Sequence, residues 1–156
     1  MKTFLIALLF ASSAAVSAGA ETFTGTTTST TTSSNMFSPP GDKPVLAISL
    51  TFTGNTVMAS GKTAATKGSC TEWTTPPGSI FQTNLVCNYT DSSGDAAALL
   101  AGCDYTNKDM TEADCWGGLQ GSAGPHAGKT GTISWHVKLG ADGKTGLSNN
   151  VGQWND

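Results

Sequence analysis

The chain has 156 residues, eight Lys, no Arg, eleven Asp plus Glu and a formal net charge of −3. Arginine is the side chain that grips phosphate in two-pronged fashion, so its absence from a net acidic chain argues against nucleic acid and against an anionic membrane surface as partners. Only 12% of the residues are charged, so solubility must rest on Thr, Ser, Asn and Gly.

The first twenty residues read as a secretory signal peptide: Lys2, an apolar run from Phe4 to Phe10, and a small-x-small site at Ala18-Gly19-Ala20. The run is too short to span a bilayer, and no later segment is apolar for long enough to do so. The expectation is cleavage near Ala20 and a secreted or periplasmic protein. Residues 21–156 then make one domain, large enough for one modest core.

Thr occupies eight of the eleven positions from Thr22 to Thr32. Such a tract is either low-complexity, O-glycosylated chain or an edge strand, because a β-branched residue favours extended backbone. Its position directly before the domain favours the strand. FSPPGDKP, Phe37 to Pro44, reads as a proline loop. In VLAISLTF, Leu46, Ile48, Leu50 and Phe52 recur at period two, which predicts a strand with one buried face. Gly54-Asn55 is expected to break it. TVMAS and KTAATKGSCTEW follow as strands divided by Gly61.

TTPPGS, Thr74 to Ser79, is a second proline turn. IFQTNLVCNYT follows as a strand with Phe81, Leu85, Cys87 and Tyr89 on one side, and Asp91 to Asp95 forms a hairpin loop. AAALLAG has helical composition, but it is seven residues long and sits where the returning hairpin strand belongs, so it reads as a strand. Cys103 to Cys115 is polar and acidic and reads as an excursion closed by its own disulfide. In the tail, Ile133, Trp135, Val137 and Leu139 share one face, Ala141 to Lys144 is a turn, and a last strand runs from about Thr145 to Trp154. Short strands with turn chemistry between them predict an antiparallel all-β domain of about eight strands. A β-barrel is preferred to a β-sandwich because glycines recur inside strands, where closing a sheet demands tight bends.

Cys70, Cys87, Cys103 and Cys115 are an even set in an exported chain and read as two disulfides. Three pairings are open. Cys70–Cys87 with Cys103–Cys115 is expected, each stapling a neighbouring excursion. Spacings of 17, 16 and 12 do not fit a zinc site, which uses tight pairs, so no metal and no cofactor are expected.

AGPHAGKT, Ala123 to Thr130, fits a relaxed phosphate-loop pattern. Such a loop needs a helix to follow, whose free N–H groups hold the phosphates. Thr130 is instead followed by GTISWHVKL, which alternates like a strand, so no nucleotide is expected. WGGLQGSAGPHAGKTGTISW, with the terminal VGQW, resembles the glycine-rich strand pattern of small secreted barrels of the allene oxide cyclase and dirigent type. The resemblance covers roughly the last forty residues. It implies an eight-stranded antiparallel barrel that holds an apolar ligand, in some members cyclising or orienting it; no catalytic residue of that family maps onto a position here.

His126 lies in the glycine loop, and His136 lies mid-strand beside Ser134. No nucleophile elbow accompanies either, and a triad needs Ser, His and an acid brought together, so no catalytic residue is assigned. The carboxylates Glu72, Asp91, Asp95, Asp104, Asp109, Glu112 and Asp114 read as solvated turn residues, and Lys108 stands where a calcium loop needs an oxygen ligand. Trp135 is expected in the core. Trp73, Trp116 and His136 are the candidate ligand-binding residues, as side chains with an apolar body and a polar tip. Asn88-Tyr89-Thr90 is a glycosylation sequon. Three functions stay open: binding a small or apolar ligand, an envelope structural protein or inhibitor acting through its loops, and a cyclase-like isomerase.

Overall fold

A computed structural model describes residues 20–38 and 45–155. The expected signal peptide and most of the Phe37–Pro44 loop lie outside the described residues. Eight strands follow in chain order: β1 Glu21–Phe37, β2 Val45–Met58, β3 Thr63–Thr74, β4 Thr83–Asp91, β5 Ala96–Tyr105, β6 Glu112–Ala123, β7 Thr130–Leu139 and β8 Thr145–Asn155. Each pairs antiparallel with the next, and β8 returns to β1, closing the barrel. Among the described residues the one helical element is a single 3₁₀ turn, Gly124–His126, before β7. The upper end carries the β1–β2, β3–β4, β5–β6 and β7–β8 connections; the lower end carries the other three and the start of β1.

Strand alternation explains the closure. Phe23 on β1, Cys70 on β3, Leu85 and Cys87 on β4, Ala97 and Leu99 on β5, Leu119 on β6 and Trp154 on β8 all point inward and form one buried cluster. Their neighbours point out, and on β1 to β3 these are mainly Thr, Ser, Asn and Lys. Burial of the inward faces supplies the driving force, while Leu100, Leu147 and Val151 keep apolar side chains on the outer face of β5 and β8. None of the described helices is long and apolar enough to cross a membrane.

The Thr-rich tract forms a strand, paired with β2 on one side and β8 on the other. AAALLAG is the first part of β5. The two disulfides are Cys70–Cys87 and Cys103–Cys115. They do not staple excursions: each joins directly opposed residues of paired strands, β3 with β4 and β5 with β6. The polar segment between Cys103 and Cys115 is the upper end of a hairpin, in which Asp104 and Tyr105 pair with Asp114 and Ala113.

Two boundaries differ from expectation. β2 runs unbroken through Gly54-Asn55 to Met58. Gly54 is there because β1 passes close: a Cβ at this position would lie 2.1 Å from the Thr26 carbonyl oxygen. An isolated strand glycine marks such an approach as readily as a turn. β4 begins at Thr83, so Phe81 precedes it and turns outward, lying over Gly102 and stacking on Trp116 with ring centroids 6.2 Å apart.

Candidate functional site: the open end of the barrel

The inward residues do not fill the barrel evenly. At the lower end Phe23, Leu119 and Trp154 are buried. Above them a cavity of about 630 Å³ opens toward the upper end. Its apolar walls come largely from the two most regular alternations in the sequence, Leu46, Ile48, Leu50 and Phe52 of β2 and Ile133, Trp135, Val137 and Leu139 of β7. Both disulfides also face it. Thr27 and Ser29 of β1 and Ser148 and Asn150 of β8 add a polar strip. The lumen is thus amphipathic, with most of its wall apolar and hydrogen-bonding groups gathered on two adjacent strands.

Two ionisable side chains lie within this wall. Glu72, from β3, shares the inward face with Cys70, two residues before it. Burial raises its carboxyl above the ordinary value of 4.5, and the neighbouring Thr83 hydroxyl opposes the rise. Thr83 is itself fully buried, and its Oγ1 makes no hydrogen bond of full geometry. Its contact with Glu72 is therefore loose and only partly offsets the lost hydration. Tyr105, from β5, is raised first by burial and then by the negative charge of Glu72. No ion pair engages Glu72 among the described residues.

Charges of both signs line the mouth. Glu112 pairs with Lys138 at 3.0 Å. Asp142 accepts hydrogen bonds from the Lys144 N–H at 3.0 Å, the Thr145 N–H at 2.9 Å and the Thr145 hydroxyl at 2.8 Å. The two backbone donors, Thr145 before Lys144, hold this exposed carboxyl below the ordinary range. Among the described residues no group of three His, Cys, Asp or Glu side chains converges as a metal ion would require.

Trp73, Trp116 and His136, the candidates read from sequence, all lie on the outer wall and outside this cavity. Trp73 is 40% exposed and Trp116 46%. The His136 Nδ1 lies 2.7 Å from Asp114 Oδ1 on the neighbouring strand. Each is one residue from an inward-facing position: Glu72 precedes Trp73, Cys115 precedes Trp116 and Trp135 precedes His136. One step along a strand exchanges inside for outside. The signal that finds Glu72 is parity with Cys70, and the signal that finds Trp135 is its shared face with Ile133 and Val137.

Sequence reasoning also missed the construction of the lower end. His126, 5% exposed, stands between two carboxylates, its Nδ1 2.8 Å from Asp95 Oδ2 and its Nε2 3.1 Å from Glu21 Oε2. Its backbone N–H donates to Asp95 Oδ1 at 3.1 Å. Its ring stacks on Trp154 with centroids 4.5 Å apart and planes 12° from parallel. Gly124 lets the chain turn in at this point: its φ is +75°, and a Cβ would lie 2.6 Å from Asp95 Oδ1 and from the Gly94 carbonyl. The glycine-rich stretch that mimics a phosphate loop therefore carries a histidine plug.

No protein-family model matches this chain, and no curated protein matches it either.

Proposed function

We propose that the protein binds a small, largely apolar molecule with a polar end, taken in through the upper mouth of the barrel. The observation that carries this reading is the cavity of about 630 Å³, within the roughly 300–1,000 Å³ usual for ligand pockets. Its lining is of the kind such sites use, apolar side chains with a few placed polar groups. Two disulfides suit export to an oxidising compartment, where an exposed apolar compound would need a carrier or receptor. The lower end is closed by His126 and Trp154, so entry and exit share one mouth.

Titration with the uncharged apolar dye N-phenyl-1-naphthylamine tests the reading. Saturable fluorescence enhancement at one dye per chain is expected, abolished by Leu50→Trp, which puts bulk into the lumen, and untouched by Trp116→Ala on the outer wall. Absence of saturable binding, or undiminished binding by a folded Leu50→Trp variant, would overturn it.

A further inference from the structure

We infer that the occupant of this cavity carries a basic nitrogen, and that Glu72 is the anion that receives it; the inference rests on the ligand-binding reading above. Three independent features of the cavity point to a cation.

The first is the missing partner. A carboxyl set in an apolar wall is costly unless it is neutral or paired. Glu72 has no cationic partner among the described residues, and the Thr83 hydroxyl beside it is loosely placed. Lys144, the one cation among the described residues lining the cavity, sits at the mouth beside Asp142. An incoming ammonium group supplies the counter-charge that the described residues do not.

The second is the aromatic lining. Phe52, Tyr105 and Trp135 face the same space, and ring faces attract organic cations in a site from which water is excluded. The third is the sign of the surrounding charge. Among the described residues the charged groups of the cavity and its rim are Glu72, Glu112 and Asp142 against Lys144 and the Lys138 that pairs with Glu112, so with Glu72 ionised the cavity carries one net negative charge, which favours a cation over a carboxylate. A neutral hydrogen-bond acceptor would use only one proton of a neutral Glu72 and gain nothing from the other two features.

Proton accounting is closed. A neutral amine takes the proton from the Glu72 carboxyl; an amine that enters already protonated expels that proton to solvent. Both routes end in a carboxylate–ammonium pair, with Tyr105 and Thr83 the remaining polar neighbours.

The test compares decylamine, 1-decanol and decanoate as competitors of the bound dye at neutral pH. Decylamine is expected to bind at least about ten-fold more tightly than decanol, with decanoate the weakest. Glu72→Gln should reduce the amine preference to about three-fold or less while leaving decanol affinity unchanged. Equal affinity for amine and alcohol in the wild type, or an amine preference that survives in Glu72→Gln, overturns the inference and leaves the ligand-binding reading standing. A wild-type protein whose dye none of the three displaces defeats both. Should Glu72→Gln fail to fold, calorimetry of the wild type in two buffers at about pH 5 decides the matter. Net proton release on binding decylamine but not decanol supports Glu72 as the receiving group; no release with either refutes it.

Discussion

Replacing His126 with alanine is the most severe test of the lower-end construction. The substitution removes the imidazole that meets Asp95 at 2.8 Å and Glu21 at 3.1 Å, and with it the ring stacked on Trp154. It keeps the backbone N–H that donates to Asp95 Oδ1. A hydrogen bond involving a charged group contributes about 1.5–3 kcal/mol, and an aromatic stack adds about 0.5–1.5 kcal/mol. The residual Asp95, 5% exposed, retains one backbone donor and a Ser93 hydroxyl at 3.5 Å, so part of its desolvation goes uncompensated. Together these put the loss at about 3–5 kcal/mol, the range for breaking a buried pair. With a urea m-value of about 1.5 kcal/mol/M, the unfolding midpoint should fall by roughly 2–3 M. Glu21→Gln is the control: Glu21 is partly exposed, and its loss should cost less than about 1 kcal/mol. A double-mutant cycle of His126→Ala with Asp95→Asn should show marked non-additivity. A cost below about 1 kcal/mol for His126→Ala, with an unchanged m-value, would show that the cluster is an ornament of the loop and that Trp154 and Phe23 close the barrel unaided.

Two further outcomes follow from the upper end and the ladder. Because burial raises the Glu72 carboxyl above 4.5, the folded chain holds a proton there that the unfolded chain has released. Stability must therefore fall as pH rises from the ordinary value through the raised one. Glu72→Gln should be more stable than wild type near about pH 7 and indistinguishable from it near about pH 4; the same difference in thermal midpoint at both pH values would refute this. Replacing both cysteines of either disulfide by alanine releases a loop of 17 or 12 residues, a chain-entropy loss of about 3 kcal/mol in each case. Midpoints in urea should drop comparably for the two pairs, and a drop seen with only one would mean that the other pair's strands hold register without it.

Much of the barrel was legible because alternation runs along the strands. β2 and β7 announce their inward faces in every second residue, and those faces became the cavity walls. The cysteine pairing followed from proximity in the chain, although the geometry behind it is opposition across a ladder. The short Ala-rich segment was recoverable as β5 only by asking what its neighbours required, since its composition favours a helix. What stayed hidden depends on contacts with no local trace. His126 finds Asp95 from 31 residues away and Glu21 from 105, and nothing near AGPHAGKT announces either. Trp73, Trp116 and His136 stand in polar company, which marks an exposed face and so the outside of the barrel. Gly54 read as a turn because one sequence does not distinguish a bend from a close crossing of strands.

The cavity has a cause in side-chain size along two adjacent strands. Going up β1, the inward positions are Phe23, Gly25, Thr27, Ser29 and Thr31; going up β8, they are Trp154, Gly152, Asn150, Ser148 and Gly146. Large rings sit at the lower end, where Phe23 lies over Gly152, and small polar groups sit above. In strand order β1 and β8 lie across the barrel from β4 and β5, whose inward Leu85 and Leu99 face the space left free. An eight-stranded barrel is just wide enough for its own side chains to fill it, so a void arises only where one wall is built from small residues. Here that wall is also polar, which a merely underpacked core would have no reason to be: a void lined by Leu and Ile alone would be dry and destabilising. The same strands thus provide a packed lower half, sealed by a histidine held between two carboxylates, and an upper half whose missing volume is matched by hydrogen-bonding capacity on one side and, on another, a carboxyl with no counter-ion among the described residues.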